Sequence, residues 1–211
     1  MKYQLVIFDF DGTLADSFSL FLRTFNAVAG QYGTRPILDT ELNTLRTMGA
    51  RGLIRHFGIA PWKVPFIAYS VRRRMAQSIT EVRLFEGIPE LLTQLNQAGV
   101  RLAIVSSNSE ANIRRVLGPA CSATITDYVC GTAIFGKAKA FSKVLRLSGV
   151  SPAQTLCVGD ELRDWEASLA VGIPFAAVGW GYTYFDALPT LPEGQVINQV
   201  EAITNVVLAS E

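Results

Sequence analysis

Two aspartates stand close together near the start of the chain, in the run Asp9-Phe10-Asp11-Gly12-Thr13-Leu14, directly after an apolar stretch. Residues two apart in a strand project to the same side, and a turn at Gly12 lets the second carboxylate approach the substrate of the first. Two ionised carboxylates this close repel each other unless a cation lies between them or one holds a proton. Either state suits phosphoryl transfer, with one carboxylate as nucleophile and metal ligand and the other as general acid, then base. A helix-capping aspartate would explain one carboxylate but not both.

A second acidic group follows another apolar stretch, in the run Gly159-Asp160-Glu161-Leu162-Arg163-Asp164. Asp160 leaves the predicted strand, and Asp164 lies one helical turn further on. Carboxylates placed in this way can converge on a hard cation, and Mg²⁺ suits a few carboxylates together with phosphate oxygens and water. Glu161 is expected to favour the first helical turn.

Polar side chains also follow an apolar stretch at Ser106-Ser107-Asn108-Ser109. A hydroxyl and free backbone N–H groups at a helix N-terminus can bind an anion, although serine and asparagine are also ordinary N-caps. Ser106 directly follows the apolar stretch and is favoured over Ser107 for this role.

A lysine opens a predicted helix in the run Phe135-Gly136-Lys137-Ala138-Lys139. A cation at a helix N-terminus opposes the helix dipole, and a nearby phosphoryl group or carboxylate cluster would offset that cost. Lys137 is therefore a candidate partner for such a group, with Lys139 as the alternative and an exposed lysine as the simplest interpretation.

These polar groups all stand where a predicted element begins or ends. Near-continuous apolar runs predict strands buried on both faces at Tyr3–Phe8, Arg101–Val105, Thr155–Val158 and Pro174–Val178. Helical patterns lie between them at Ile88–Ala98, Glu110–Leu117, Lys137–Ser148 and Glu161–Val171. This alternation predicts an α/β fold with a doubly wound, Rossmann-like parallel sheet, in which ligands bind beyond the carboxyl ends of the strands.

One block departs from the alternation. Residues 16–83 show only helical periodicity, where a single crossover helix would be enough. We expect an inserted α-helical domain at 16–83, with hinges near Leu14–Ser17 and Val82–Gly87. The α/β core would then comprise residues 1–15 and 84–211.

The composition limits the function classes. The chain has 211 residues, is 49% hydrophobic and 18% charged, and carries a formal net charge of +1. Such a chain can bury a substantial core. The sequence contains no long basic run, so nucleic-acid binding is not suggested. The sequence contains no uncharged apolar run of about 18 residues, so no membrane span is predicted. Three cysteines fit no zinc template, and reduced thiols predict a cytoplasmic protein. The sequence identifies no protein partner.

Together, the four polar groups resemble the four motifs of the haloacid dehalogenase-like hydrolase superfamily, in the same order. The run Asp9–Leu14 after an apolar strand is the most specific of them. The helical block is similar to the cap domain of the phosphoglycolate phosphatase-like branch. The resemblance implies a Mg²⁺-dependent phosphatase that hydrolyses a small phosphorylated metabolite.

The resemblance also implies a role for each motif residue. Asp9 would attack phosphorus and form an aspartyl-phosphate, and Asp11 would protonate the leaving oxygen and then activate water. Ser106 would bind the phosphoryl group, and Lys137 would balance the charge. Magnesium would be held by Asp9, the backbone carbonyl of Asp11, Asp160 and Asp164. Substrate contacts are expected from Gly12, Thr13, Ser107 and Asn108 in the motifs, and, as a separate hypothesis, from Arg51 in the helical block.

Other functions use the same core residues. A phosphosugar mutase would return the phosphoryl group to the sugar, and a phosphonate hydrolase would need an imine-forming lysine, for which Lys63 is the one candidate in the helical block. A haloacid dehalogenase is disfavoured, because it does not need the Asp11 acid. A non-catalytic binding module is expected to have lost a core carboxylate or the lysine, and this sequence retains all of them. In the block, Arg51 or Arg46 could reach an anionic substrate group, or both could lie in a solvated loop.

Overall fold

A computed structural model describes residues 1–133, 136–184 and 196–209. In chain order its strands are β1 (Leu5–Phe8), β2 (Ala15–Asp16), β3 (Arg83–Leu84), β4 (Arg101–Val105), β5 (Asp127–Val129), β6 (Thr155–Gly159), β7 (Phe175–Val178) and β8 (Val196–Ile197). The helices are α1 (Phe18–Ala29), α2 (Leu42–Leu45), α3 (Ala50–His56), α4 (Val64–Gln77), α5 (Ile88–Gln97), α6 (Glu110–Thr124), α7 (Lys137–Ser148), α8 (Leu162–Ala170) and α9 (Ala202–Leu208). Among the helices so described, none has the length and apolar character needed to cross a membrane.

Six strands form one parallel sheet in the order β5-β4-β1-β6-β7-β8. The central strand β1 is buried along its whole length. Its side chains alternate between the two faces, so that Val6 and Phe8 join one apolar cluster while Leu5 and Ile7 join the other. The predicted doubly wound α/β fold is confirmed, and the continuous apolar runs reflect burial on both faces.

The edge strands were not predicted. Strand β5 has three residues, all of them half-buried, and β8 has two. Such short segments carry too few apolar positions to produce a pattern. Helix α6 also differs from expectation, because it continues past the predicted end at Leu117 through a kink at Gly118, which has φ 70° and ψ 173°.

Residues 16–83, called the helical segment below, run from the last residue of the short strand β2 to the first residue of the short strand β3. These two strands pair antiparallel, with Ala15 opposite Leu84 and Asp16 opposite Arg83. Within the segment, α1 packs against α4. The pairing therefore brings the two ends of the helical segment together, at the positions where hinges were expected. The predicted core range 84–211 includes residues 134–135, 185–195 and 210–211, which lie outside the described residues.

Candidate active site

The sheet register places three polar strand ends side by side. Phe8 at the end of β1 lies opposite Ile104 of β4 and Val158 of β6. Because the three strands are parallel, the residues that follow them emerge at one edge of the sheet. Asp9, Ser106 and Asp160 are these residues, and all three are buried.

The two carboxylate oxygens of Asp9 have different surroundings. Oδ1 accepts a hydrogen bond of 2.7 Å from the backbone N–H of Phe10. Oδ2 lies 2.7 Å from Lys137 Nζ in an ion pair, yet it accepts no well-oriented hydrogen bond from the described residues. Asp9 Oδ2 is therefore the oxygen whose lone pairs are available to an electrophile.

Lys137 is buried between two acids. Its side chain is 1% exposed, and its ammonium group pairs with both Asp9 and Asp164. Burial alone would lower the pKa of Lys137, but the charges of Asp164 and Asp9 outweigh this effect and raise the pKa above its ordinary value. The lysine is therefore held as a cation inside the acidic cluster. Lys139, the alternative considered from the sequence, is exposed.

Three buried aspartates, Asp9, Asp160 and Asp164, offer carboxylate oxygens that all lie within 4.8 Å of one another. The pKa of Asp160 is raised well above its ordinary value by burial first and then by the charge of Asp9. Burial also raises the pKa of Asp164, to about 7, although Lys137 opposes the shift. A cluster of acids that repel one another in this way fits a divalent cation, for which oxygen ligands are required.

Asp160 is held in place from two sides. Its Oδ1 accepts a hydrogen bond of 2.9 Å from Thr13 Oγ, and its Oδ2 accepts one of 2.7 Å from the backbone N–H of Tyr182. Gly12 packs directly against it with φ +82°, and a Cβ atom at Gly12 would lie 2.2 Å from Asp160 Oδ2. Thr13 therefore orients Asp160 and Gly12 leaves room for it, and the substrate contacts expected of these two residues stay a prediction.

Asp11 differs from Asp9 because it faces a cavity. Its Oδ2 accepts a hydrogen bond of 3.1 Å from Asn108 Nδ2, whereas Oδ1 has no partner among the described residues. Burial, followed by the charge of Asp9, raises the pKa of Asp11 to about 6. A carboxyl group with this pKa can hold a proton near neutral pH and can also release it, which are the two requirements of an acid–base catalyst.

The serine pair divides between two positions. The hydroxyl oxygen of Ser106 is buried and accepts a hydrogen bond of 3.1 Å from the backbone N–H of Asn108. Ser107 and Asn108 line the same cavity as Asp11. Ser106 therefore supports the turn whose next two residues face the cavity.

The two arginines proposed from the helical segment point to different places. Arg46 lines the cavity, and it donates hydrogen bonds to the carbonyl oxygens of Gly181 and Tyr182 and one of 2.7 Å to the Tyr184 hydroxyl. In return, the backbone N–H of Tyr184 donates to the Arg46 carbonyl at 2.8 Å. Arg46 therefore joins the helical segment to the loop after β7.

Arg51 and Lys63 are not among the residues that line this cavity. The Arg51 guanidinium lies 3.3 Å from the carboxylate of Glu166, at the surface. Lys63 Nζ donates a hydrogen bond of 2.8 Å to the carbonyl oxygen of Tyr32. The structure therefore does not bring these two side chains to the aspartates.

Arg163 is a site residue that the sequence analysis missed. It lines the cavity and pairs with Glu161, and its buried Nε has no hydrogen-bond partner within the described part of the chain. Its charge lowers the pKa of Asp11 and Asp164, although burial is the larger influence on both. A basic residue inside an otherwise acidic run was the signal available in the sequence.

Comparison with known proteins places this arrangement in context. The sequence model of a family described as "Haloacid dehalogenase-like hydrolase" matches residues 6–178. The chain is 37% identical over 180 residues to a phosphoglycolate phosphatase of Synechococcus elongatus, covering 85% of each sequence. It is 32% identical over 193 residues to the tyrosine-protein kinase PtkA of Mycobacterium tuberculosis, covering 85% of this chain and 63% of that protein.

Solved structures support the same fold. A haloacid dehalogenase-like family hydrolase from Streptococcus pneumoniae superimposes with a TM-score of 0.74 at 20% identity, covering 97% of this chain and 98% of that one. At this identity, the likeness concerns the fold alone.

Proposed function

This chain belongs to the haloacid dehalogenase-like hydrolases and is a phosphatase, and we propose that it hydrolyses a small phosphomonoester through an aspartyl-phosphate on Asp9. The observation that carries the proposal is a pair of buried carboxylate oxygens that accept no hydrogen bond from the described residues. Asp9 Oδ2 lies beside the Lys137 cation, and Asp11 Oδ1 is buried without a partner among the described residues. A nucleophile and a proton donor therefore stand two residues apart at one strand end.

In the first step, Asp9 Oδ2 attacks phosphorus and the bond from phosphorus to the alcohol oxygen breaks. Asp11 gives its proton to that oxygen as the alcohol leaves. The pKa of about 6 supports this role, because it lies much closer to neutral pH than the pKa of an ordinary aspartate, so the carboxyl group can both hold and release a proton there. Lys137 offsets the negative charge shared by Asp9 and the phosphoryl group.

In the second step, water attacks the phosphorus of the aspartyl-phosphate. Asp11, now ionised, takes the proton of that water, and the bond between phosphorus and Asp9 breaks to release inorganic phosphate. The side chain of Asn108 supports this step, since Asn108 Nδ2 holds Asp11 Oδ2 at 3.1 Å while Oδ1 accepts no hydrogen bond from the described residues. Asp11 thereby returns to its protonated form.

We assign Asp9, Asp160, Asp164 and the backbone carbonyl of Asp11 as the groups that would hold Mg²⁺. The oxygen-only donor set and its mutual repulsion support this assignment. When bound, Mg²⁺ would lower the repulsion between the nucleophile and the phosphoryl oxygens. Thr13 and the Tyr182 N–H keep Asp160 oriented toward the cluster.

The helical segment, residues 16–83, is proposed to be a cap that closes over the core of residues 1–15 and 84–211. The β2–β3 pair at its two ends supports this division, because the segment meets the core through two short strands. The Arg46 contacts with the loop after β7 support closure at a second point. A closed cap keeps bulk water from the first step.

Phosphate release from a panel of phosphomonoesters, with and without Mg²⁺, tests the proposal. We expect turnover that EDTA abolishes and Mg²⁺ restores. Asp9→Asn and Asp11→Asn should each abolish turnover while the proteins stay folded. Near-normal turnover by a folded Asp9→Asn variant would overturn the mechanism.

A radiolabelled substrate separates hydrolysis from related transfers. Acid quenching should leave label on the wild-type chain and none on Asp9→Asn, because the aspartyl-phosphate cannot form there. Free phosphate should be the final product. Label that appears in an isomer of a sugar phosphate would identify a mutase instead. Label that appears in phosphotyrosine would identify transfer to tyrosine, the activity that the name of the mycobacterial relative gives for that protein.

A further inference from the structure

A cavity of about 260 Å³ runs from Asp11 into the helical segment. Asp11, Ser107 and Asn108 line it on the core side. Within residues 18–75, the lining side chains are apolar apart from Arg46 and Arg72. The apolar lining comes from several helices and includes Leu22, Phe25, Leu53, Ile67, Ala68 and Val71. The reactive end of the site therefore opens into an apolar space.

The apolar wall begins beside the catalytic carboxylate. The ring of Tyr182, from the loop after β7, packs 5.0 Å from the Phe18 ring and 5.5 Å from the Phe21 ring, measured between centroids. The Tyr182 hydroxyl is engaged by Ser17 Oγ at 2.9 Å. Tyr182 thus offers its ring to the cavity while its polar atom is already bonded.

Most charged side chains of the lining are already paired. Arg46 bonds the carbonyl of Tyr182, and Arg163 pairs with Glu161. Among the described lining residues, the half-buried Arg72 is the one further cation. The several hydroxyls of a sugar would each lose hydrogen bonds to water on entering such a space, and most of them would find no partner. An apolar group loses nothing and gains by leaving water.

We infer that the alcohol part of the substrate is apolar, an alkyl, prenyl or aromatic group that occupies this cavity. The inference rests on the proposed function and specifies its substrate class. Breakage of the phosphorus–oxygen bond would give the apolar alcohol, with the Asp11 proton on its oxygen. The cavity holds roughly nine groups the size of a water molecule, which corresponds to a chain of about six to eight carbons beyond the phosphate.

A series of straight-chain alkyl phosphates, from ethyl to octyl, tests the inference on the wild-type protein with Mg²⁺. We expect kcat/KM to rise about fourfold for each added methylene until the cavity is filled, the factor that corresponds to burying one methylene. The kcat/KM for propyl phosphate should be higher than that for glycerol phosphate, which has the same number of carbons and two additional hydroxyls. It should also be higher than the kcat/KM for phosphoglycolate.

Ala68→Phe narrows the cavity from α4, and Ala76→Phe is its matched control on the same helix, since Ala76 does not line the cavity. Ala68→Phe should lower the ratio of kcat/KM for octyl phosphate to kcat/KM for ethyl phosphate at least tenfold. Ala76→Phe should leave this ratio unchanged. Thermal melting of both variants shows whether each is folded.

The outcomes separate the inference from the function on which it rests. A flat response to chain length, with faster turnover of phosphoglycolate or glycerol phosphate, would overturn the apolar substrate class and leave the phosphatase intact. A folded, more stable Ala68→Phe variant with unchanged octyl phosphate turnover would show that the cavity is a packing defect and would also overturn it. No turnover of any ester would overturn the proposed function, and this inference with it.

Discussion

Replacing Lys137 by methionine tests whether one buried cation holds the acidic cluster together. Lys137 is 1% exposed and pairs with Asp9 at 2.7 Å and with Asp164. Methionine has a similar length and no charge. The variant therefore keeps most of the packing and leaves the buried Asp9 and Asp164 without the ammonium group that pairs with both.

The size of the effect follows from the burial of both partners. Removing one member of a buried ion pair costs about 3–5 kcal/mol of unfolding free energy, because the remaining charge is left uncompensated. We expect a loss in this range for Lys137→Met in EDTA. Mg²⁺ and Lys137 offset the same negative charges, so the variant should bind Mg²⁺ more tightly than the wild type does. Each tenfold gain in affinity would reduce the deficit by about 1.4 kcal/mol at saturating Mg²⁺.

Urea unfolding in EDTA and in excess Mg²⁺ measures both effects. Lys139→Met is the control, because Lys139 is exposed two residues further along α7, and it should change stability by less than about 0.5 kcal/mol. The reasoning fails if Lys137→Met loses no more stability than the control. It also fails if its deficit is the same in EDTA and in Mg²⁺.

Three further substitutions probe other contacts. Arg46→Ala should lower kcat/KM roughly ten- to hundredfold, the range for losing hydrogen bonds made by a charged group, with Arg46→Lys intermediate. Equal values of kcat/KM would show that closure does not need this contact. Hydrogen bonding by Arg35 lowers the pKa of Glu41 to about 2, so the pair stabilises the fold above the ordinary pKa of 4.5 and loses this contribution as pH falls to 2. The melting temperature of Glu41→Gln should therefore be lower than that of the wild type at pH 6 and equal to it at pH 2. The same difference in melting temperature at both pH values would contradict this. Gly12→Ala should weaken Mg²⁺ binding, measured by calorimetry, because its Cβ would displace Asp160, and unchanged affinity would refute the positioning role.

Local patterns in the sequence were enough for the centre of the fold. Strands β1, β4, β6 and β7 are continuous apolar runs because they are buried on both faces, so they were predictable without tertiary information. Helix α7 has the predicted bounds Lys137–Ser148, ending at Gly149 with φ 72°. The edge strands β5 and β8 were not predictable, because pairing with a neighbour, and not an apolar run, defines them.

The acidic residues of the site also stood out by type and spacing, since each follows a strand whose end lies at a common edge. The contacts that orient them did not, because they join residues far apart in the chain. Thr13 reaches Asp160 and Arg46 reaches Tyr182 across separations of 147 and 136 residues. No local pattern encodes such pairs.

The sequence by itself determined the parallel sheet and the acidic groups at its edge, because the pattern of apolar residues and the residue types are local properties. Only the tertiary structure decided which oxygen of Asp9 accepts no hydrogen bond from the described residues, that Lys137 and not Lys139 lies among the acids, and that an apolar cavity extends into the helical segment. These features depend on how separate elements pack in three dimensions. The physical reason is that burial and close approach are set jointly by distant parts of the chain.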